Sequence, residues 1–334
     1  SDLSDGSDWH LSISWRLRED TDWASAWYEL AWDQIELKAK QVAQFEAIAK
    51  DIQGPNFEHA ALNVAIDDAQ GVVSIKVADA ELLAAPITPC LWRAPTDNDG
   101  GKPGSRPLFK NKTAEWVGYG LNALTPGELI RTDSREGIVF ERKWRSADGT
   151  FATHQSRWSL SENGILVEET ISVPTEWEDL PRIGIRFEMP GAVDQLDWYG
   201  LGPDESYPDR HLAQTVAQWS STIADQYHPY VRPQEYGAHE QCRWFRLTDD
   251  QGRGVKITLP KPLNFTARAH HDVDLNAAET LAELTARDTT EIHIDVGLRG
   301  LGTGACGPDA LPEYRLGPGT YSFQWTLEAV SGDT

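Results

Sequence analysis

Apolar and polar residues alternate in many short segments of this chain, and turn-forming residues separate these segments. Residues 9–18 and 27–37 both alternate with a period of two, which is the period of a strand with one buried face. Two strands bury too little surface to form a core. We therefore expect residues 1–40 to be the last strands of a sandwich domain whose earlier strands lie upstream, so that the chain is a fragment or a separately encoded subunit.

A linker and a larger β domain are predicted downstream. Residues 41–55 end at Gly54-Pro55, and we interpret them as a linker. Asp-Gly, Asn-Gly and related turn sequences then separate alternating runs and predict hairpins. These runs are 63–66 with 72–75, 143–145 with 151–153, 165–167, and 244–247 with 255–257. Only Leu275–Ala286 has a helical pattern, and strands do not alternate with helices. The predicted fold class is therefore all-β, with residues 56–334 forming one large antiparallel sandwich.

Charge and composition exclude several classes of partner. The chain carries 30 Lys and Arg against 52 Asp and Glu, a net charge of −22, whereas nucleic acids and anionic lipid surfaces bind basic patches. The sequence contains no run of about 18 apolar residues that would span a membrane. The three cysteines show neither disulfide nor zinc spacing, which predicts a reduced, cytoplasmic protein. We expect most of the 14 tryptophans to fill the β core.

The stretch Leu91–Gly101 is rich in turn-forming residues. Asp97, Asn98 and Asp99 follow a proline, and such side chains stabilise tight turns by bonding to their own backbone. Gly100 and its neighbouring glycine are suited to a hinge. Two interpretations are a mobile loop and an ordinary turn, and for this stretch taken alone we favour the ordinary turn.

A second loop with site-like composition is Thr303–Pro308, which follows the alternating run Glu291–Leu298. Glycines such as Gly304 allow the backbone to approach a ligand closely. Cys306 is a candidate nucleophile, but no histidine neighbours it in sequence, so we interpret it as part of a pocket wall. Loops held by rigid sheets are where binding groups tend to lie.

Two further polar stretches contain candidate acid–base residues. In Gly200–Arg210, the adjacent Asp204 and Glu205 point to opposite sides of an extended chain, so we favour a structural role and an ion pair between Asp209 and Arg210. His228 and Glu235 are candidates for the acid and base of sugar ring opening.

The run His270–Asp274 has the residue types of a metal site. Its spacing suits no closed site, so we expect no metal there. Instead, Asp272 or Asp274 is expected to cap the helix that follows.

Three stretches, taken together with their order and spacing, closely resemble the C-terminal domain of the large β-galactosidases of glycoside hydrolase family 2. They are Trp92–Asp99, Gly200–Arg210 and Tyr230–Gly237. The segment Trp9–Leu37, with Ala31–Gln34, resembles the end of the immunoglobulin-like domain that precedes it in that family. The resemblance covers nearly the whole chain.

This resemblance implies a galactose-mutarotase-like β-sandwich after partial immunoglobulin-like strands. The family hydrolyses terminal β-galactosides, lactose included, with retention, and two glutamates do the chemistry. Those glutamates and the Mg²⁺ and Na⁺ ligands lie on a (β/α)₈ barrel that this chain lacks, so no catalytic residue, cofactor or metal ligand is assigned here. The implied partners are the β-galactoside, the upstream barrel-containing part and further copies of the enzyme, because family members form homo-oligomers.

For the pocket wall, the resemblance implies two loops. One contains Asp97, Asn98, Asp99 and Gly100 and borders the site, and the other contains Gly304 and Cys306. Some family members have a tryptophan in the second loop that stacks on the aglycone sugar. Cys306 departs from that pattern, which predicts weaker acceptor binding and altered transglycosylation. A Cys306→Trp variant of the full enzyme with an unchanged inhibition constant for glucose would contradict this.

Two other functions stay open. A free-standing mutarotase-like sandwich would bind galactose or epimerise it with His228 and Glu235. A small subunit would complete a split β-galactosidase, but the small subunits of two-gene forms resemble the sandwich alone. A part of a single-chain enzyme is therefore the favoured interpretation.

Overall fold

Strands joined by hairpins make up most of the computed structural model, which describes residues 8–38, 45–48, 56–101, 111–162, 164–302 and 309–332. The chain divides into two units, Ser1–Gln44 and Phe45–Thr334. All the strand pairings are antiparallel in the part of the chain that the structure describes. The predicted all-β, antiparallel class is confirmed.

The first unit is a hairpin of two strands, β1 (Trp9–Arg16) and β2 (Glu29–Lys38). Their register pairs Ile13 with Asp33, so the two alternating runs predicted as strands are strands. Most of the large apolar side chains of this unit are exposed to solvent. They include Leu11, Trp15, Trp23, Trp27, Tyr28, Leu30, Trp32, Ile35 and Leu37. A two-stranded hairpin offers no second layer to cover them.

The second unit begins with a small four-stranded sheet. Its strands, which are neighbours in chain order, are β3 (Asn56–His59), β4 (Leu62–Asp67), β5 (Gly71–Val77) and β6 (Ala80–Glu81). The predicted hairpin between 63–66 and 72–75 is the β4–β5 pair. Most of the predicted linker, residues 41–44 and 49–55, lies outside the described residues, and Ile48 forms a bridge with Leu160.

Twelve described strands form the large sheet. They are β7 (Ala85–Cys90), β8 (Thr125–Ser134), β9 (Gly137–Arg145), β10 (Phe151–Leu160), β11 (Ile165–Val173), β12 (Arg182–Pro190), β13 (Gln195–Gly202), β14 (Thr215–Thr222), β15 (Ala238–Thr248), β16 (Gly254–Arg268), β17 (Thr289–Leu298) and β18 (Gly319–Val330). One path runs β14-β13-β15-β16-β18-β11-β10-β9-β8. The predicted hairpins at 143–153 and 244–257 are β9–β10 and β15–β16.

The sheet branches at β16, the longest of these strands. Its first part, 254–258, pairs with β18, whereas 264–268 pair with β17. β17 pairs in turn with β12, and β12 with β7. One strand therefore belongs to both layers, and the sheet curls over its own apolar face.

Tryptophans occupy the centre of this curled sheet. Trp158 meets Trp325 edge-on, with ring centroids 5.7 Å apart, and Phe187 stacks on Trp325 at 6.4 Å. The fully buried tryptophans among the described residues are Trp116, Trp158, Trp177, Trp198 and Trp325. Large aromatic rings fill the space between the layers and make this core.

The predicted helix at Leu275–Ala286 is wrong in extent. The chain contains α1 (Lys112–Gly118), which was not predicted, and α2, which is only Asp272–Ala277. After α2, the backbone N–H of Glu279 and the Thr280 hydroxyl both donate to the Glu283 carboxylate, at 2.9 and 3.1 Å. Such local bonds compete with helical ones and end the helix.

The N-terminus of α2 also differs from the prediction. His271 is the residue before the first helical turn, its side chain makes no capping bond, and Asp272 and Asp274 lie inside the turn. Asp272 is buried and contacts arginines instead. In the described part of the chain, no helix has both the length and the apolar character needed to cross a membrane.

Candidate functional site

A polar cleft lies where the three loop stretches singled out in the sequence come together. It encloses about 430 Å³. The lining residues are Thr96, Asp97, Asn98, Asp209, Arg210, Tyr230, Gln234, Glu235, Leu301 and Gly302. They come from Leu91–Gly101, Gly200–Arg210 and Tyr230–Gly237, and from the residues just after β17. Loops remote in sequence therefore build one concave surface, as is usual for small-molecule sites.

The turn at Thr96–Gly101 presents two of the predicted wall residues to this cleft. The backbone N–H of Thr96 donates to the Asp99 carboxylate at 2.9 Å, and the N–H of Asp99 donates back to the Thr96 hydroxyl at 3.4 Å. Gly100 closes the turn with φ +100°, a geometry that glycine tolerates best. This reciprocal capping buries Asp99 and leaves Asp97 and Asn98 lining the cleft.

A buried arginine ties this turn to the end of β17. Arg93 donates to both oxygens of Asp99, at 3.1 and 2.7 Å, and to the backbone carbonyls of Arg299 and Gly300, at 2.6 and 3.2 Å. Its guanidinium also lies over the Trp116 ring, 5.5 Å from the centroid. Two walls of the cleft are thus fixed relative to each other by one planar, five-donor side chain.

Asp209 holds the residues just after β17, which form part of the cleft wall. Its carboxylate accepts from the backbone N–H groups of Leu301 and Gly302, at 2.8 and 2.7 Å. The predicted ion pair between Asp209 and Arg210 is wrong, because Arg210 turns to Glu205 instead. Two hydrogen bonds from backbone N–H groups stabilise the Asp209 carboxylate more than an ion pair with the exposed Arg210 would.

Glu205 organises the opposite side of the cleft, in agreement with the structural role favoured for it. Its carboxylate accepts from Arg210, from the Tyr230 hydroxyl and from the backbone N–H of Gly237, the last at 2.8 Å. Arg210 also donates to the Tyr230 oxygen at 2.8 Å. Burial, with the nearby Glu205 carboxylate, raises the pKa of Tyr230 to about 12, so this hydroxyl stays protonated at neutral pH.

At the base of the cleft, Glu235 enters a fully buried network of charges. It accepts from Arg182 at 2.7 Å and from Arg268 at 2.9 Å. Arg268 bonds as well to Asp272, whose carboxylate also receives the backbone N–H of Ala94 at 3.2 Å. Both Glu235 oxygens are therefore held by guanidinium groups.

Asp295 and His293 complete this network. Burial raises the pKa of Asp295 to about 7 in spite of the attraction of Arg182, whose Nε lies 3.1 Å from the carboxylate. His293 Nδ1 accepts from Arg182 at 2.9 Å, and burial, reinforced by Arg182, lowers the pKa of His293 well below its usual value. The imidazole is therefore neutral, and Arg268 approaches its other nitrogen, Nε2, at 3.5 Å.

A cluster of possible metal ligands lies in the same network. Ligand atoms of Cys90, Asp272 and His293 come within 4.8 Å of one another. The Cys90 thiol donates to the Trp92 carbonyl at 3.2 Å, and burial raises its pKa to about 12. Metal binding needs a thiolate and a free imidazole nitrogen, but here the sulfur carries a proton and an arginine faces each imidazole nitrogen. The cluster suits an ion-pair network better than a metal.

The run His270–Asp274 spreads its side chains over separate partners. His270 contacts the Tyr236 hydroxyl at 2.9 Å, His271 contacts Thr289, and Asp274 pairs with Arg287 at 2.6 Å. These groups do not converge on one point.

The two residues proposed for an epimerase-type reaction are not joined. The ring of His228 packs against Tyr230, with centroids 4.3 Å apart, and makes no hydrogen bond with Glu235, which lies within the buried network. Gly304 and Cys306, expected in the pocket wall, lie outside the described residues.

Seven lining residues were missed as site candidates in the sequence. They are Thr96, Asp209, Arg210, Tyr230, Gln234, Leu301 and Gly302. All but Leu301 and Gly302 fall in stretches that carry the resemblance, so the motifs contained most of the signal. What the sequence did not provide was the contact across the cleft, such as the 3.0 Å bond from the Asp97 N–H to the Gln234 side chain.

An antiparallel β-sandwich with a charge-lined cleft between its loops is the class of protein that this fold and site define. The family model of the beta galactosidase small chain matches residues 58–327, and this chain belongs to that family. The β-galactosidase of Priestia megaterium is 29% identical over 306 residues, which cover 87% of this chain and 28% of that protein. That of Arthrobacter sp. is 29% identical over 337 residues, which cover 94% and 32%.

The chain spans about a third of the length of the curated relatives it matches. Among solved structures, a galactose mutarotase related enzyme from Lactobacillus acidophilus has a TM-score of 0.43 and 12% identity, covering 83% of this chain and 97% of that one. An aldose epimerase homologue from C. elegans has a TM-score of 0.41 and 11% identity, covering 81% and 96%.

Proposed function

We propose that this chain is the part of a retaining β-galactosidase of glycoside hydrolase family 2 that borders the sugar pocket. The catalytic glutamates, and the Mg²⁺ and Na⁺ sites, then belong to a barrel outside this chain. The substrate class is terminal β-D-galactosides such as lactose, and the isolated chain is inactive.

The arrangement of carboxylates in the cleft carries this proposal. Retaining hydrolysis needs two carboxyl groups about 5–5.5 Å apart, one of them a nucleophile. Among the described lining residues, Asp209 is occupied by two backbone amides and Glu235 by two arginines. Among the described lining carboxylates, Asp97 is the one whose oxygens make no hydrogen bond or ion pair with another described residue. One free carboxylate suits binding of a sugar hydroxyl and not the two-step chemistry.

The remaining polar groups of the cleft match the same role. Asp97 offers acceptors, Asn98 an amide and Arg210 a guanidinium, and a sugar hydroxyl is both donor and acceptor. The turn that presents Asp97 and Asn98 is held by the Arg93–Asp99 contact, so these groups are presented by a rigid support.

Exposed apolar side chains at the edge of the cleft form a surface suited to contact with the rest of the enzyme. Leu212 and Val231 are 89% and 95% exposed, and they closely follow the lining residues Arg210 and Tyr230. Exposed apolar side chains beside a site are typical of an interaction surface. The exposed apolar residues of the β1–β2 hairpin offer a second such surface, which we assign to the upstream immunoglobulin-like strands.

The proposal covers two chain arrangements, one continuous polypeptide and a separate small subunit that assembles with a large one. An immunoblot of the source organism distinguishes them by the mass of the reactive band. The continuous form, assembled into homo-oligomers, is the one we favour.

Activity assays test the proposal directly. The chain is mixed with the upstream portion of the same enzyme and assayed with a chromogenic β-galactoside. We expect no turnover by either part alone and turnover on mixing. Turnover by the isolated chain would overturn the assignment of its carboxylates. Acceleration of galactose mutarotation by the isolated chain would favour the epimerase alternative with His228 and Glu235.

Variants then test the cleft. In the assembled enzyme, Asp97→Asn and Asn98→Ala should raise KM by about three- to tenfold, because the first replaces an acceptor oxygen and the charge with a donor and the second removes the amide. The matched control is Asp250→Asn in the exposed turn between β15 and β16, which should leave KM unchanged. An unaltered KM in both cleft variants would remove these residues from the pocket.

A further inference from the structure

A second cavity lies between the layers, away from the cleft. It is small, about 40 Å³, whereas one water needs about 10–15 Å³ by this measure. The β4–β5 turn and strands β5, β7, β8, β9 and β10 enclose it. Its polar lining residues are Gln70, Arg142, Trp144, His154 and Ser156. A galactoside is too large for this space, but a halide ion with a water or two fits.

Two donors on residues that line this cavity have no acceptor in the described part of the chain. Nε of Arg142 and Nε1 of Trp144 are buried atoms without a hydrogen-bond partner among the described residues. Buried donors are almost always satisfied, so two such atoms in one cavity indicate a group that accepts from both.

The charge in the cavity is unbalanced. Arg142 forms no ion pair with a described carboxylate, and the one hydrogen bond that its side chain makes with a described residue goes to the Ala69 carbonyl. The guanidinium is only partly buried, and this partial burial lowers the pKa of Arg142 from its usual value. Its Nε, however, is fully buried, and a charge-assisted hydrogen bond to an anion would satisfy that donor better than a bond to a neutral group.

The neighbouring residues do not supply that anion. His154 lies directly opposite Arg142 in the β9–β10 register, and its Nε2 contacts Glu169 at 2.8 Å. Glu169 is not a lining residue. Its carboxylate is already shared among His154, the Ser156 hydroxyl at 3.2 Å and Trp325 Nε1 at 3.4 Å. No Asp or Glu lines the cavity among the described residues.

We propose that this cavity binds a small inorganic anion of halide size, held by the guanidinium of Arg142 and the indole N–H of Trp144. The ion links the β8–β10 end of the large sheet to the turn before β5, so its binding stabilises the folded state by mass action. The site is independent of the galactoside cleft and of the function proposed for it.

The experiment compares sodium bromide and sodium chloride with sodium methanesulfonate at equal ionic strength. The unfolding midpoint of the chain should rise with bromide or chloride and saturate. Trp144→Phe keeps the ring but removes the donor, and it should raise the half-saturating bromide concentration about three- to tenfold. Arg142→Gln should abolish the response. Arg145→Gln is the matched control, since Arg145 is on β9 too but contacts the Phe151 ring.

Crystals grown in bromide give a readout that does not depend on variant stability. An anomalous bromide peak between Arg142 and Trp144 is expected. Equal responses to bromide and methanesulfonate, or a response unchanged in Trp144→Phe and Arg142→Gln, would overturn the proposal. A cavity containing only water in those crystals would overturn it as well.

Discussion

Arg299 and Asp309 meet across ten positions of the chain, with the guanidinium Nη2 2.5 Å from the carboxylate Oδ1. Arg299 also donates to both oxygens of Asp179, at 2.7 and 3.0 Å. Its own carbonyl accepts from Arg93 at 2.6 Å. One arginine therefore joins the end of β17, the start of the last described segment and the cleft turn.

Removing this side chain should be costly. Arg299 is 1% exposed and Asp179 8%, so Arg299→Met removes the bidentate partner of a buried carboxylate that keeps only Lys112, at 2.8 Å, and should cost about 3 kcal/mol in the free energy of unfolding. Arg315 also contacts Asp309, at 3.2 Å, but is 41% exposed, and Arg315→Met should cost about 1 kcal/mol or less. Urea titration followed by tryptophan fluorescence measures both, and equal losses would contradict the role of Arg299.

Gly100 is the glycine of the cleft turn whose replacement should matter most. A Cβ there would lie 2.7 Å from the Asn111 side-chain oxygen and 2.9 Å from its Cα, at φ +100°. Gly149 has a similar φ of +93°, but nothing lies within 4 Å of a Cβ. Gly149→Ala should cost about 1–2 kcal/mol through backbone strain, and Gly100→Ala about 1–3 kcal/mol more through the clash. Thermal unfolding of the two variants compares them, and matching losses would mean that the turn yields freely.

Because of Asp295, the free energy of unfolding should decrease as the pH rises through the mildly acidic range. Its pKa is about 7 in the folded chain and about 3.9 in an unfolded one. Between these values the folded state holds a proton that the unfolded state releases. The contribution is therefore complete below about pH 4 and is lost as the pH rises to about 7.

Asp295→Asn isolates this effect, because the amide cannot ionise. Relative to the unmodified chain, the variant should gain stability between pH 4.5 and 7.5, by roughly 1.4 kcal/mol for each unit of pKa difference. The comparison cancels the opposite contribution of His239, whose pKa burial lowers to about 4. Urea unfolding across this range gives the two curves. Asp250→Asn is the control, and parallel curves for Asp295→Asn would contradict the prediction.

The two described cysteines should be inert in the folded protein. Cys90 and Cys242 are both buried, and burial raises the pKa of both thiols, that of Cys90 to about 12. Since the thiolate is the reactive form, iodoacetamide at pH 8 should modify neither residue until denaturant is added. Peptide mass spectrometry locates the label, and native labelling of Cys90 would show that its surroundings open readily.

The hairpins were predictable because their signals are local. The β4–β5, β9–β10 and β15–β16 turns follow from a few adjacent residues, and each register agrees with the alternation. The exchange of β16 between two partners, and the insertion of β18 between β11 and β16, involve pairings such as Ile165 with Leu327. No short-range pattern records such pairings. The short helix α1 was missed because seven residues show too little periodicity.

The cleft was predictable in part for the same reason. Asp97 and Asn98 stand out through the proline before them and the glycines after them. Asp209 was misassigned because its true partners, the backbone amides of Leu301 and Gly302, lie more than 90 positions away. Backbone donors leave no trace in a sequence, and the adjacent Arg210 offered a simpler but wrong partner.

The position of β18 between β11 and β16 affects how the chain folds. This strand pairs with β11 on one side and with β16 on the other, although both precede it by many residues. Until β18 inserts, β11 and β16 each have an unpaired edge, and such edges can pair with other chains and lead to aggregation. Pairing over this separation in sequence is slow. The yield of refolded protein should therefore decrease as the protein concentration rises. Dilution or a chaperone should protect the chain while β18 is still unpaired.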